Sequence, residues 1–130
     1  MIKQKGVTLI EMLIAVAIIG VLTAIAYPSY QDHVLKGHRT QAMGDLIKIQ
    51  LALEETYTQN SAYDFTIVSG GSCSFCDTDK DRYKFTITQK KAGYIITATA
   101  QTKQENDTDC LDNKELTLNS NSKGSPERCW

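Results

Sequence analysis

Residues 7–27 form a nearly continuous apolar run in which Glu11 is the one charged side chain. As an α-helix with a rise of about 1.5 Å per residue, the run is about 31 Å long. This length matches the roughly 30 Å hydrocarbon core of a bilayer. Lys3 and Lys5 precede the run, and flanking positive charges favour the cytoplasmic side of a membrane. The pattern therefore predicts a membrane-spanning helix with the rest of the chain outside the cytoplasm.

Beyond this run, apolar residues recur at a helical spacing. They lie at Ala42, Leu46, Ile49, Leu53 and Tyr57. The spacing predicts that the helix continues with one buried face and ends in the polar cluster 58–61. We expect Pro28 to kink the helix, and Gly20, Gly37 and Gly44 each to weaken it by about 1 kcal/mol relative to alanine.

Patterns in the second half of the chain predict strands. Residues 82–87 alternate between polar and apolar side chains, which is the period of a strand with one buried face. A turn-like segment at 90–93 and a β-rich run at 94–100 follow, and together they predict an antiparallel hairpin; a third short run lies at 115–118. A long helix followed by three or more antiparallel strands is an α+β fold in which the sheet covers the apolar face of the helix.

Length and charge narrow the class of protein. The chain has 130 residues and a formal net charge of -1. It therefore lacks the overall excess of positive charge that would indicate a nucleic-acid partner. This size disfavours a large enzyme or a multidomain protein. The polar remainder of roughly 100 residues has a limited core, which covalent cross-links can supplement. These features favour a small, membrane-anchored domain.

A secretory signal peptide and an ordinary membrane anchor are the alternative interpretations of this N-terminal segment. An ordinary anchor leaves the charge of Glu11 unexplained. A secretory signal peptide has an apolar core of about 7–15 residues and a small-residue cleavage site beyond it, whereas Gly6 here precedes the apolar run. A carboxylate inside the hydrocarbon costs about 2.5–3.5 kcal/mol and needs a partner. Cleavage after Gly6 would free the amine of Val7, and the amine of one chain could then neutralise Glu11 of a neighbouring chain.

The motif KGVTLIE at residues 5–11, followed by the long apolar run and the sequence AYPSY at 26–30, resembles the N-terminus of type IV pilins. The resemblance implies that a prepilin peptidase cleaves between Gly6 and Val7 and methylates Val7. It also implies that Glu11 drives docking into a filament. The family most often has phenylalanine after the glycine, and Val7 departs from that pattern.

The resemblance implies a pilin fold with three parts: a leader at 1–6, a transmembrane and filament-core helix at 7–28, and a globular head at 29–130. Gly20 and Pro28 are the helix breakers between which pilin helices can unwind on assembly. The implied partners are other pilin subunits through the N-terminal helix, prepilin peptidase, inner-membrane lipid and the pilus assembly machinery. The implied location is the bacterial inner membrane, with a periplasmic C-terminus, and then the extracellular pilus.

The function that follows from the resemblance is that of a structural subunit of a type IV pilus. The small size and the Cys-Trp ending favour a minor pilin that takes part in pilus assembly and in adhesion, twitching motility or DNA uptake. The alternatives are a major pilin or a pseudopilin of a type II secretion system. A DNA-binding competence pilin is the alternative from another functional class.

Four cysteines lie beyond the membrane segment, where an oxidising compartment favours disulfides. Three connectivities of Cys73, Cys76, Cys110 and Cys129 are compatible with the sequence. The resemblance to pilins with a C-terminal disulfide loop favours the pairs Cys73–Cys76 and Cys110–Cys129. A redox role for the Cys-x-x-Cys spacing is disfavoured because a glycine-rich loop precedes it instead of a strand. Zinc is disfavoured because there is no second close pair.

The remaining motifs do not indicate a catalytic or metal-binding site. The acidic segment 77–81 imitates the start of a calcium loop, but Arg82 and Thr88 stand where that loop needs glycine and glutamate. His33 and His38 do not share a helix face, and no nucleophile is placed with them. We therefore predict no enzymatic activity, no cofactor and no metal site.

A basic strip in the predicted hairpin suggests one further function. Its residues are Lys80, Arg82, Lys84, Lys90 and Lys91. Such a strip can contact DNA phosphates, or it can simply balance the acidic loops. From the sequence alone we favour the second account and expect weak or no DNA binding.

Overall fold

The computed structural model describes residues 4–130; Lys3 and the first half of the predicted leader lie outside the described residues. The chain divides into two compact units, one ending at Val34 and one running from Leu35 to Trp130. The helix and the strands are α1 (Leu9–Asn60), β1 (Tyr83–Lys90), β2 (Gly93–Ala100), β3 (Glu115–Asn119) and β4 (Gly124–Ser125). Three short 3-10 turns lie at Phe65–Ile67, Thr102–Gln104 and Glu127–Cys129.

The first unit is the apolar part of α1. Its large apolar side chains are exposed, Leu9 and Ile25 among them. The helix contains an 18-residue window with a mean hydropathy of 2.6, none of which is buried, so its length and composition suffice to cross a membrane. Pro28 lies inside α1, which continues past it to Asn60. The kink expected at Pro28 stays a prediction.

The second unit contains a four-stranded antiparallel sheet in the order β1-β2-β3-β4. In its register Phe85 faces Ala98, and Ile96 faces Leu118. The predicted turn at 90–93 is confirmed, because Lys90 pairs with Gly93 and the two residues between them connect β1 to β2. β4 is absent from the predicted strands, because two residues are too short to show a strand period.

The sheet covers the apolar face of α1, as the spacing predicts. The core joins the helix to the inner face of the sheet through Ala42, Leu46, Ile49, Leu53, Tyr83, Phe85, Tyr94, Ile96, Ala98, Leu116 and Leu118. Each large side chain buried in this way contributes about 1.5–3 kcal/mol. The prediction was wrong for Tyr57, which is 48% exposed. Its ring stacks on Tyr63 with the centroids 4.7 Å apart.

Two disulfides join Cys73 to Cys76 and Cys110 to Cys129, the two pairs that the sequence analysis favours. Closing the longer loop stabilises the fold by about 3 kcal/mol, because the cross-link restricts the unfolded chain. At the end of this loop the indole of Trp130 lies directly against Gly124, where there is no room for a Cβ.

Candidate functional site

A surface groove of about 380 Å³ lies between the start of β1 and the turn that follows β2. The residues that line it are Lys80, Asp81, Lys84, Gln101, Thr102 and Lys103; we refer to it as the lysine groove. It combines lysines from three separate segments of the chain. The groove is therefore a product of the fold and not of a sequence motif.

The sheet and two turns place these lysines. Lys84 points outward because its neighbours in β1, Tyr83 and Phe85, are both buried. Its aliphatic stem lies against Gly71, whose positive φ and lack of a Cβ allow the close approach. Lys103 lies in the 3-10 turn that follows β2.

The lysine groove carries an excess of positive charge. Lys80 and Lys84 form no ion pair within residues 4–130. Lys103 lies 3.5 Å from Asp81, and both side chains are more than half exposed, so this pair is weak. Three lysines against one aspartate leave a net attraction for anions. Phosphate groups are anions of the kind that lysines bind on nucleic acids.

Arg82 has a different role from the one that the sequence suggests. Its guanidinium donates to the backbone oxygen of Lys103 at 3.1 Å and to the side-chain oxygen of Gln104 at 2.9 Å. Arg82 therefore fastens the turn after β2 to the start of β1. These two hydrogen bonds from Nη1 hold the turn that carries Lys103 in place.

A buried ion pair holds the segment that follows Lys103 in the chain to α1. Arg39 donates to Asp107, and the Tyr83 hydroxyl donates to the other oxygen of the same carboxylate at 3.3 Å. Gln104 donates to the backbone oxygen of Leu35 at 3.2 Å. Burial raises the pKa of Tyr83 to about 12 and also raises the pKa of Asp107. The network fixes the turn that carries Lys103 against α1.

Asp45 holds the loop that leads into β1. Its carboxylate is buried and accepts hydrogen bonds from the backbone of Asp77 and Thr78 and from the Thr78 hydroxyl. Asp45 lies outside the apolar stripe at 42, 46, 49 and 53, so the spacing of apolar residues does not predict that it is buried. A buried aspartate can be recognised only when the loop it binds is known.

The acidic side chains of the segment 77–81 lie at the surface. Asp77 accepts a hydrogen bond from Lys48, and this bond raises the pKa of Lys48. The carboxylate of Asp77 thus balances the charge of Lys48. Within the described part of the chain, no group of three or more metal-ligating side chains has a geometry that suits a metal ion.

The predicted basic strip is divided in the fold. Lys80 and Lys84 line the groove, Arg82 bonds inward, and Lys90 and Lys91 lie where β1 turns into β2, away from the groove lining. Lys103 belongs to the groove, and the sequence analysis missed it. An isolated lysine in a loop gives no signal of its own, because only the pairing of β1 with β2 brings it beside Lys84.

At the N-terminus, Gly6 and Val7 precede the first turn of α1. Glu11 accepts a hydrogen bond from the Thr8 backbone at 3.0 Å, and its own backbone donates to the Thr8 hydroxyl at 3.3 Å. This reciprocal pair is a capping box, which satisfies free amides at the start of a helix. The spacing Thr-x-x-Glu signals it, and the sequence analysis missed it. Glu11 thus has an intrachain partner besides any contact with another chain.

Three further residues singled out near the N-terminus, Gly20, His33 and His38, lie on α1. Gly20 lies inside α1, with open space where a side chain would stand. His33 is exposed and His38 is half-buried, and neither forms an ion pair within the described residues.

Two family profiles match this chain. The family described as "Type IV minor pilin ComP, DNA uptake sequence receptor" matches residues 28–114. The "Prokaryotic N-terminal methylation motif" matches residues 1–27. A solved structure of a type IV pilin from Shewanella oneidensis has a similar fold, with a TM-score of 0.56 and 24% identity, and covers 74% of this chain and 97% of that chain.

Several fimbrial proteins are also similar in sequence. A fimbrial protein of Neisseria meningitidis is 31% identical over 115 residues, which cover 88% of this chain and 65% of that protein. Fimbrial protein EcpC of Eikenella corrodens is 35% identical over 98 residues, 74% of this chain and 62% of that protein. Fimbrial protein Q of Moraxella bovis is 49% identical over 51 residues, 39% of this chain. The chain matches only 32% of the length of this last relative.

The match over residues 28–114 covers more than half of the chain and includes the part of α1 beyond Pro28, together with β1 and β2. The protein is therefore a type IV pilin, and it belongs to the family of the minor pilin ComP. The resemblance seen at residues 5–11 is confirmed by the methylation motif, and the predicted fold is confirmed by the related pilin structure.

Proposed function

We propose that this protein is a minor pilin that takes part in DNA uptake and that it binds DNA through the lysine groove. The family profile supports the role, because its description names a DNA uptake sequence receptor. The lysine groove carries the proposal, because it supplies a cationic surface on the matched head. Together these two observations reverse the order of preference that the sequence alone suggested for the basic residues.

The electrostatics of the groove suit a phosphate backbone. Lys80, Lys84 and Lys103 are exposed at the groove, and a single aspartate faces them. Neutralising about three phosphates makes the logarithm of the affinity fall with the logarithm of salt concentration with a slope of about -3. Binding of this kind has a dissociation constant of about 1–100 µM without sequence readout. Stronger binding of DNA would therefore require the groove to be presented on a filament, or specific contacts to the bases.

The proposal also includes maturation and assembly. Cleavage between Gly6 and Val7 and methylation of Val7 are supported by the methylation motif over residues 1–27. The exposed apolar side chains of α1 up to Pro28 support insertion in the inner membrane and then packing with other pilin subunits in an extracellular filament. Residues 29–130 are then the head that the filament displays.

DNA binding by the full chain in uncharged detergent micelles tests the groove. We expect a labelled duplex to bind with the salt dependence given above. The double variant Lys84→Gln/Lys103→Gln should reduce the slope of that dependence by about 2, because each lysine accounts for about one phosphate. The matched control is Lys90→Gln/Lys91→Gln, which removes the same charge at the other end of the hairpin.

Two results would contradict the proposed DNA site. One is the absence of salt-dependent binding by the unaltered chain. The other is an equal loss in the two double variants, which would indicate a diffuse charge effect instead of a groove.

A major pilin is the second candidate. The match to the "Type IV major alpha-pilin" of Moraxella bovis favours it, with 49% identity over 51 residues. That match covers 39% of this chain, whereas the minor-pilin profile extends over residues 28–114 of the head. The abundance of the chain in sheared filaments distinguishes the two roles.

A further inference from the structure

A second groove, with a volume of about 340 Å³, lies between α1 and the turn that joins β3 to β4. It shares no lining residue with the lysine groove. Its polar side chains come from Gln50, Glu54, Tyr63, Ser120, Asn121 and Ser122; we refer to it as the acceptor groove. Its chemistry differs from that of the lysine groove because neither lysine nor arginine lines it.

Glu54 is the charged group of the acceptor groove. One of its carboxylate oxygens accepts hydrogen bonds from the hydroxyls of Tyr94, at 2.7 Å, and Tyr63, at 3.4 Å. In the part of the chain that the structure describes, no group donates to its second oxygen, Oε2, and no cationic side chain pairs with it. The two tyrosines thus hold Glu54 in place while half of its hydrogen-bonding capacity stays free.

Gln50 adds a second free acceptor one helical turn away. Its nitrogen donates to the backbone oxygen of Asn119 at 3.3 Å and to the Ser122 hydroxyl at 2.9 Å. Because a backbone oxygen can only accept, these contacts fix which end of the Gln50 amide is the nitrogen. The Gln50 oxygen receives no hydrogen bond within residues 4–130. Positions 50 and 54 share one helix face, so the two oxygens lie on neighbouring turns.

The free acceptors and the negative charge define the class of ligand. An anion would be repelled by Glu54, and a neutral donor could hydrogen-bond to the carboxylate but would gain no attraction between opposite charges. A group with several N–H donors and a positive charge satisfies both acceptors at once. We propose that the acceptor groove binds a guanidinium or ammonium group through Glu54 and Gln50. The source is either a free amine or a basic side chain of another polypeptide.

The test uses the full chain in uncharged detergent micelles and follows the backbone amide NMR signals of residues 120–122. Arginine amide should shift these signals saturably. Citrulline amide keeps the α-amine but carries a neutral urea in place of the guanidinium, so it should shift them much less. Glu54→Gln should weaken arginine amide binding by about tenfold or more, because it removes a charge-assisted contact. Glu55→Gln removes the same charge from the exposed neighbouring position and should leave the binding unchanged.

A second arm distinguishes the two sources of the cation. Free putrescine is compared with a short peptide that carries one arginine between alanines. Tighter binding of putrescine indicates a small amine as the natural ligand, and tighter binding of the peptide indicates a basic side chain. Both results support a cation site.

Three results would overturn the proposal: no saturable shift with arginine amide, equal shifts with citrulline amide, or an equal loss of binding in Glu55→Gln. The amide spectrum outside residues 120–122 reports whether Glu54→Gln is folded. If Glu54→Gln is misfolded, the deciding measurement is the comparison of arginine amide with citrulline amide on the unaltered chain.

Discussion

Arg39 on α1 and Asp107 in the segment between β2 and β3 lie 2.5 Å apart, nitrogen to oxygen, with side-chain exposures of 8% and 3%. The two residues are 68 positions apart in the chain. Their contact, with the Tyr83 hydroxyl as a third member, joins the helix to the segment that follows the lysine groove. The ion pair thus has two effects: it stabilises the head, and it holds the turn that carries Lys103 in place beside the lysine groove.

Removing one member of this pair should be costly. We predict that Arg39→Ala lowers the free energy of unfolding by about 3–5 kcal/mol, because it leaves the Asp107 carboxylate buried without a cation. Lys123→Ala breaks a surface pair with Glu127 at 3.8 Å and should cost at most about 1 kcal/mol. Urea unfolding, followed by the fluorescence of Trp130, measures both. Equal losses in the two variants would show that the buried pair is unimportant.

Asp45 should contribute more to the free energy of unfolding than Asp77, whose backbone donates to the Asp45 carboxylate. Asp45→Ala leaves the backbone donors of Asp77 and Thr78 without their acceptor, and we predict a loss of about 3 kcal/mol. Asp77→Ala keeps the backbone donor and removes only an exposed carboxylate, so a loss below about 1 kcal/mol is expected. The same unfolding experiment compares them. A smaller effect for Asp45→Ala than for Asp77→Ala would refute this role.

The buried Tyr83 predicts a loss of stability in alkaline solution. Its pKa is raised from 10.0 to about 12 in the folded chain, so the folded state keeps the phenol proton longer than the unfolded state does. The stabilisation is fully present below pH 10 and is lost as the pH rises towards 12. It amounts to about 2–3 kcal/mol.

Tyr83→Phe should flatten the decline in the free energy of unfolding between pH 10 and 12. Tyr57→Phe removes a half-exposed phenol and serves as the control. Urea unfolding at intervals across this range gives both profiles. Superimposable profiles for Tyr83→Phe and the unaltered chain would show that the Tyr83 proton does not contribute.

Two substitutions at Glu11 separate its capping role from its charge. Glu11→Gln keeps an oxygen that can accept from Thr8, whereas Glu11→Ala removes both the cap and the charge. If the charge pairs with the amine of Val7 in a neighbouring chain, both variants should insert in the membrane and be absent from filaments. Immunoblots of the membrane and sheared-filament fractions measure this. Normal incorporation of Glu11→Gln would mean that the cap alone is needed.

The periodic parts of the molecule were predictable from the sequence. The spacing of Leu46, Ile49 and Leu53 identifies the face of α1 that the sheet covers, and the alternation around Phe85 identifies β1. Both signals arise because burial on one side repeats with the period of the element. Tyr57 fits the same spacing but lies outside the core, since the spacing cannot show where the covering sheet ends.

The contacts between loops and the helix were not predictable. Asp45 and Asp107 look like solvated acids in the sequence and are buried in the fold, each held by donors far away along the chain. Lys103 joins Lys84 only through strand pairing. The capping box at Thr8 and Glu11 is the exception, because its signal is local and was overlooked.

The proposed function requires this chain to be a processed minor subunit of a type IV pilus. The most direct measurement is the intact mass and the relative amount of the chain in sheared surface filaments, beside the membrane fraction. We expect a chain that begins at methylated Val7 and is a small share of the filament protein. A chain that retains residues 1–6 and stays in the membrane, or one that dominates the filaments, would contradict it.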